Sequence, residues 1–278
     1  MPESAFGGCG FAYNGGLGGL VPRLGAPDGM RRRTIVKALI ASLALMGIDA
    51  FAHAGEPVDV ALVLAVDVSR SIDDKEFDLQ RKGYAAALTN PRVLQAIHSG
   101  PLRAIAVAYV EWSSDEEQKT VVDWTVIKDG EVAASVAQAI LAAPRAYSSR
   151  TSISGAIDHA MHELARSGVE ATRRIIDVSG DGTNNSGLPP QVARDAAVGD
   201  GITINGLAII NERPEGVFAQ YHVRPPGGLP EYYRQNVIGG PGSFLLQVEG
   251  FGTFADAITQ KLISEIAGLP PPARYAGR

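Results

Sequence analysis

Apolar runs and helical stripes alternate along this chain from residue 58 onward. The run VDVALVLAV (58–66) is almost continuously apolar, the pattern of a parallel strand covered on both faces. Phe77, Tyr84 and Leu88 then recur at helical spacing, and Asn90-Pro91 closes that helix. AIAVAYVEW (104–112) and TVVDWTVI (120–127) read as two more strands, close enough in sequence to pair antiparallel. Val132, Val136 and Ile140 predict a short helix, and Ile153, Ile157, Ala160, Met161 and Leu164 a second with a clean apolar stripe. RIIDVSGDG (174–182) is a strand ending in an acid. A helix from about Pro189 leads to the strand ITINGLAII (202–210), and SFLLQV (243–248) is the last strand. Phe251, Phe254, Ile258, Leu262 and Ile266 form the core face of a closing helix.

This alternation predicts an α/β domain: a Rossmann-like open, mostly parallel sheet with helices on both faces. Ligands of such sheets bind beyond the carboxyl ends of the strands, where the strand order reverses. The segment 211–228, NERPEGVFAQYHVRPPGG, is longer than most connections. If the sheet is parallel there, it leaves its strand at that carboxyl edge and is expected to shape a partner surface; the alternative is a floppy insertion.

The region before residue 58 follows no such pattern. Arg31-Arg32-Arg33 and Lys37 precede the apolar stretch ALIASLALMGI (38–48), which is too short to span a bilayer, and Ala52-His53-Ala54 has the form of a cleavage site. We read 30–54 as a signal peptide, with Gly55 the first mature residue, and the Gly-rich, aperiodic stretch 1–29 as an over-extended start. RRRTIVK also fits a twin-arginine signal loosely. The expected location is therefore periplasmic or secreted. The single cysteine, Cys9, lies ahead of all this, so the domain at 55–268 has neither thiol nor disulfide and depends on its core. Residues 269–278 read as a flexible tail. A formal net charge of −5 without a basic stripe speaks against a nucleic-acid partner.

The candidate chemistry lies at strand ends. Asp67 closes the first strand, and Ser69 and Ser71 follow at spacing two, so in extended backbone all three side chains point one way. Thr151 opens the helix beginning TSISGAI, and Asp181 sits between Gly180 and Gly182 in a tight turn. Two carboxylates and three hydroxyls form an all-oxygen set that suits a hard cation such as Mg²⁺. Each piece also has a plain reading: Ser71 with Asp74 as a capping-box variant, Thr151 as an N-cap, SGDGTNN as a turn. Their order, each at a strand end or helix start, favours the metal.

Asp67-Val68-Ser69-Arg70-Ser71, then Thr151, then Asp181-Gly182 resemble the metal-ion-dependent adhesion site of von Willebrand factor A domains, over about residues 58–267. The resemblance implies a six-stranded sheet with one antiparallel edge strand. It implies Ser69, Ser71 and Thr151 as ligands of Mg²⁺, Mn²⁺ or Ca²⁺, with Asp67 and Asp181 binding directly or through water. It also implies a partner protein that contributes an Asp or Glu carboxylate. YYRQNVIGGPGSFLLQVEGFGTFADAI and the export signal resemble a bacterial branch of uncharacterised function. Ser149-Arg150 stands where the wider family has Gly-Gly before the threonine.

The function expected is a binding module rather than an enzyme, with an exported metal-dependent hydrolase or transferase as the alternative. GDGTNN (180–185) resembles the GGDGT motif of lipid and NAD kinases, but export removes the protein from cytoplasmic ATP and no GxxxxGK[ST] loop is present. A phosphatase with Asp67 as nucleophile would want an acid at Ser69, and no G-x-S-x-G elbow exists. His159, His162 and Glu163 lie opposite the apolar stripe of their helix and are expected on a solvated face rather than at zinc.

Overall fold

The computed structural model describes residues 55–210, 225–250 and 253–271. The start and signal segments with Cys9, residues 211–224 of the long connection, Phe251 and the tail from residue 272 lie outside the described residues. In chain order the elements are β1 (Glu56–Asp67), α1 (Asp74–Leu88), α2 (Pro91–Ser99), β2 (Ile105–Trp112), β3 (Gln118–Ile127), α3 (Gly130–Ala142), α4 (Ile153–Arg166), β4 (Val169–Gly180), α5 (Pro190–Gly199), β5 (Thr203–Ile210), α6 (Gly228–Asn236), β6 (Leu245–Glu249) and α7 (Phe254–Ala267).

The described strands form one sheet in the order β3-β2-β1-β4-β5-β6. All pairs are parallel except β2–β3, the antiparallel edge. β1 is buried from Val58 to Asp67 because helices cover both of its faces. Its large side chains, Val60, Leu62, Leu64 and Val66, meet α1, α2, α3 and α7. Its smaller ones, Ala61, Val63 and Ala65, meet α4, α5 and α6. Gly83 lets α7 approach α1: a Cβ there would stand 2.5 Å from the Phe254 ring.

Four elements differ from the sequence expectation. Asn90-Pro91 ends α1 but also starts α2, since Asn90 accepts from Arg92 N–H and Pro91 occupies the first turn, where no N–H is needed. α6 forms in a stretch that carries only Leu229 and Tyr233 as buried residues, too few for a legible stripe. β4 begins at Val169 rather than near Arg174, because its charged first half pairs with β1 beyond the core. The helix α4 does not present one solvated face: His162 is exposed and His159 half-buried, but Glu163 is buried, accepting from Thr120 Oγ1 at 2.8 Å and pairing with Arg166 at 2.5 Å.

A charged cluster interrupts the core between the sheet and α7. Asp177 on β4 and Asn205 on β5 face Lys261 and Glu265, one helical turn apart. Lys261 Nζ pairs with Asp177 at 2.7 Å and with Glu265, and Asn205 Nδ2 donates to Glu265 at 3.0 Å. Burial works against the lysine charge, but Asp177 and Glu265 outweigh it and hold Lys261 above its ordinary pKa. Burial raises Asp177 against the pull of Lys261, and burial with Asp177 beside it pushes Glu265 up to about 7.

Candidate metal centre

The strand order reverses between β1 and β4, and the two acids of the motif stand at the carboxyl ends of these strands. β1 stops at Asp67. The chain then turns rather than continuing extended, with Ile72 N–H donating to Ser69 O at 3.1 Å. Asp67 Oδ1 accepts from Ser69 N–H at 2.7 Å, so Asp67, Ser69 and Ser71 converge through a turn and not through strand alternation. Ser71 takes no part in capping α1. That cap is a box of Asp73 with Glu76, each side chain accepting from the other's backbone N–H at 2.8 and 2.9 Å.

Ser71 is thereby left to the site, where it donates to Asp181 Oδ1 at 2.6 Å. Ser69 and Ser71 Oγ are 3.2 Å apart, and Thr151 Oγ1 donates to Ser69 Oγ at 3.2 Å. All five residues named from the sequence, Asp67, Ser69, Ser71, Thr151 and Asp181, are brought together and buried.

Thr151 arrives without the Gly-Gly pair of the wider family because other groups hold its loop. Ser113 Oγ accepts from Ser149 N–H at 2.8 Å and donates to Arg150 O at 2.9 Å. Arg70 N–H donates to Ser149 O at 2.8 Å, tying the two loops together. The N-cap of α4 is Ser152, not Thr151. Asn185 Oδ1 accepts from Thr151 N–H at 2.9 Å, and Asn184 Oδ1 accepts from Ile153 N–H at 2.7 Å. The GDGTNN stretch therefore joins Asp181 to the Thr151 loop.

Sequence reasoning missed several supports. Arg145 Nη2 donates to the carbonyls of Val68, Ser69 and Ile72 at 2.8–3.0 Å and so clamps the Asp67–Ser71 turn. Arg81 on α1 forms a buried ion pair with Glu111 at 2.6 Å, and Glu111 Oε2 accepts from Ala146 N–H at 3.0 Å, fixing the start of the same loop. Tyr233 reaches the floor of the site from α6. A Cβ at Gly180 would stand 2.7 Å from the Tyr233 hydroxyl and 3.0 Å from Asp67 Oδ2, so only glycine fits between them. A buried Glu111 in an apolar strand was the one visible signal; the others depend on chain reversals.

The electrostatics are those of an anionic pocket. Burial, reinforced by the Asp181 carboxylate, pushes Asp67 up to about 8. Glu76 on α1 rises to about 7, through burial first and then through Asp73 and Asp181. Asp67 Oδ2 is buried with no hydrogen-bond partner among the described residues, a costly state for a carboxylate. A hard divalent cation fits this donor set: oxygen ligands only, few of them charged, with an orphaned carboxylate oxygen among them. Among the described residues no group of three or more His, Cys, Asp or Glu side chains is placed to hold a metal instead.

The sheet order, the antiparallel edge and the oxygen cluster at the switch point define a von Willebrand factor A-type domain. Solved structures with this fold include proximal thread matrix protein 1 from the mussel byssus with a zinc-occupied MIDAS motif (18% identity over 77% of this chain, TM-score 0.51). They also include a von Willebrand factor type A protein from Catenulispora acidiphila (14% over 75%, TM-score 0.51) and the pilus adhesin SpaC from Lactobacillus rhamnosus GG (14% over 76%, TM-score 0.52). This chain spans 49%, 43% and 31% of those chains, less than half of each. Residues 57–270 match the family described as "Protein of unknown function (DUF1194)", and the chain belongs to that family. No curated protein matches it.

Proposed function

We propose that this chain is an exported, divalent-cation-dependent binding module that captures an acidic group of a partner protein. The observation that carries the reading is the buried oxygen cluster. Asp67, Ser69, Ser71, Thr151 and Asp181 are linked by contacts of 2.6–3.2 Å, with Asp67 Oδ2 left without a hydrogen bond among the described residues. Ser69, Ser71 and Thr151 would supply neutral oxygens and Asp67 and Asp181 the charge. A cation so held keeps Lewis acidity toward an outside carboxylate. The site hydroxyls hydrogen-bond to one another and to Asp181, not to a histidine or lysine base among the described residues, which supports binding over covalent turnover. The zinc-occupied motif of the mussel matrix protein and the adhesin role of SpaC support the same reading. The basic and apolar pattern of residues 30–54 supports export, and no helix among the described residues is long and apolar enough to cross a membrane.

The test is calorimetric titration of the protein with MgCl₂ and MnCl₂. Asp67→Ala, Ser69→Ala and Thr151→Ala should each weaken binding while leaving the circular dichroism nearly unchanged, because these loops close the sheet edge and do not form its core. Metal affinity that survives the triple substitution would refute the assignment. Capture of an envelope protein should be abolished by EDTA and restored by Mg²⁺ or Mn²⁺.

A further inference from the structure

Tyr233 carries a hydroxyl that packing does not explain. Its ring enters the core from α6 together with Leu229, one helical turn earlier, and joins the apolar cluster that holds Ala61, Val63 and Ala65. Two glycines on neighbouring strands clear its path. A Cβ at Gly206 on β5 would stand 3.1 Å from Tyr233 Cδ1, and one at Gly180 on β4 would stand 2.7 Å from the hydroxyl. The end of α6 is fastened at the same residue, where Tyr233 O accepts from Val237 and Ile238 N–H at 2.9 and 3.0 Å. The side chain is fully buried, and its hydroxyl has no hydrogen-bond partner among the described residues. An unpaired buried hydroxyl costs free energy, and phenylalanine would fill the same slot without that cost. Asp67 Oδ2, likewise buried and without a partner among the described residues, lies 3.0 Å from the same point above Gly180. The two oxygens are therefore at most two hydrogen-bond lengths apart, and one can donate where the other accepts.

We propose that Tyr233 is a positioning residue of the metal centre: its hydroxyl serves Asp67 Oδ2, through a small rotation or a single water, and sets that carboxylate for the cation. The proposal rests on the metal reading for the cation; the contact between Tyr233 and Asp67 does not. Asp67 Oδ1 is already taken by Ser69 N–H at 2.7 Å, so a donor at Oδ2 fixes the remaining rotation of the carboxylate. Ligating carboxylates are commonly held by such outer hydrogen bonds. The same donor draws off part of the charge on Asp67 and so leaves a bound cation more electrophilic toward an outside carboxylate. α6 then fastens the centre on two sides. The neighbouring Tyr232 hydroxyl accepts from Asn184 N–H at 3.1 Å, and Asn184 holds the entry of α4 just beyond Thr151. One helix thus braces both the loop that carries the first acid and the loop that carries the threonine.

The experiment uses the full chain and two readouts: calorimetric titration with MgCl₂ and MnCl₂, and urea unfolding in EDTA. Tyr233→Phe keeps the ring in its slot and removes only the hydroxyl. It should weaken Mg²⁺ binding about tenfold, the usual cost of losing an outer partner of a ligand. Tyr84→Phe is the comparison, since it removes another buried hydroxyl, which donates to Ser179 Oγ at 3.0 Å; it should leave Mg²⁺ affinity unchanged even where it lowers the unfolding midpoint. In EDTA, Tyr233→Phe should lower the midpoint of the native protein, and this shift should disappear when Asp67 is already alanine, because the hydroxyl acts through that carboxylate. Native Mg²⁺ affinity in Tyr233→Phe, or an equal loss in Tyr84→Phe, would overturn the positioning role. A midpoint shift that is the same with Asp67 and with Asp67→Ala would overturn the contact. A native protein that binds neither cation would overturn the metal reading and the positioning role with it, while a shift that still depends on Asp67 would show the contact to be one of folding alone.

Discussion

This molecule buries two carboxylates close together in two places and treats them differently. Between the sheet and α7, Asp177 and Glu265 share Lys261, a cation supplied by the chain and fully enclosed. At the carboxyl edge of the sheet, Asp67 and Asp181 are gathered with three hydroxyls, and no lysine or arginine forms an ion pair with Asp67 among the described residues. Arg145, the cation nearest in role, spends its donors on the carbonyls of the Val68–Ile72 turn. In the first site a cation from the chain offsets part of the anionic burden, and the cluster is enclosed in the core. In the second, Asp67 has no such ion pair among the described residues, and Asp67 Oδ2 has no hydrogen-bond partner there. That difference, a lysine inside the first cluster and hydroxyls around the second, is what the proposed cation reading builds on.

The comparison can be broken most forcefully at Lys261. Lys261→Met removes the internal cation and strands two buried carboxylates. It should destabilise the protein by about 3–5 kcal/mol in urea or thermal unfolding at neutral pH, equally with and without Mg²⁺. A Mg²⁺-dependent rescue would mean that the two sites are not independent.

At the oxygen site the expected sign is opposite. Asp67→Asn removes the cost of holding a buried carboxyl beside Asp181, whether as a retained proton or as a charge, so in EDTA the variant should be more stable than the native protein. With Asp67 pushed from 3.8 up to about 8, and about 1.4 kcal/mol per pKa unit, the gain is a few kcal/mol at most. The rise in melting temperature on adding Mg²⁺ should shrink or vanish. Loss of stability in EDTA would show that Asp67 is already compensated within the chain.

The pH dependence follows from the same shift. The folded pKa of Asp67 is raised, so between about pH 4 and pH 8 the folded state holds a proton that the unfolded state has released. Stability in EDTA should therefore fall as pH rises through this window. Glu265, up at about 7, acts in the same direction. Only the Asp67 share should be offset by Mg²⁺, so the two unfolding curves should diverge with rising pH. Parallel curves would place the titration away from Asp67, at Glu265 or at Glu76, which also stands at about 7.

The smallest effect concerns the arm that delivers the hydroxyl. Asn184→Ala removes the acceptor for Ile153 and Ser154 N–H. It should cost about 1 kcal/mol, as other helix-entry caps do, together with a modest weakening of Mg²⁺ binding through Thr151. An unchanged metal isotherm would show that Asn185 alone holds Thr151.

The five oxygen residues were legible because each stands just past a strand end or at a helix start, where a polar side chain has no packing role to explain it. The α7 cluster was not. Asp177 lies inside RIIDVSG and reads as one acid in a strand, and Lys261 and Glu265 read as ordinary polar positions beside Leu262 and Ile266. Their meeting depends on how α7 crosses β4 and β5. Glu163 was misjudged for the same reason: the helical wheel puts it opposite the core stripe, but β3 with Thr120 closes over that side.

By itself the sequence determined the order of the strands, most of the helices, the sheet's largely buried centre and the five candidate oxygen residues, because these rest on local periodicity and on polar residues that interrupt it. Tertiary structure alone decided which of the chain's buried acids receive a cation from within and which do not. It also decided that Tyr233 and Arg145 support the Asp67 turn. Charge compensation is a matter of distances between residues far apart in sequence, such as the 84 positions between Asp177 and Lys261 (261 − 177). Those distances exist only once the sheet and its helical layers are assembled.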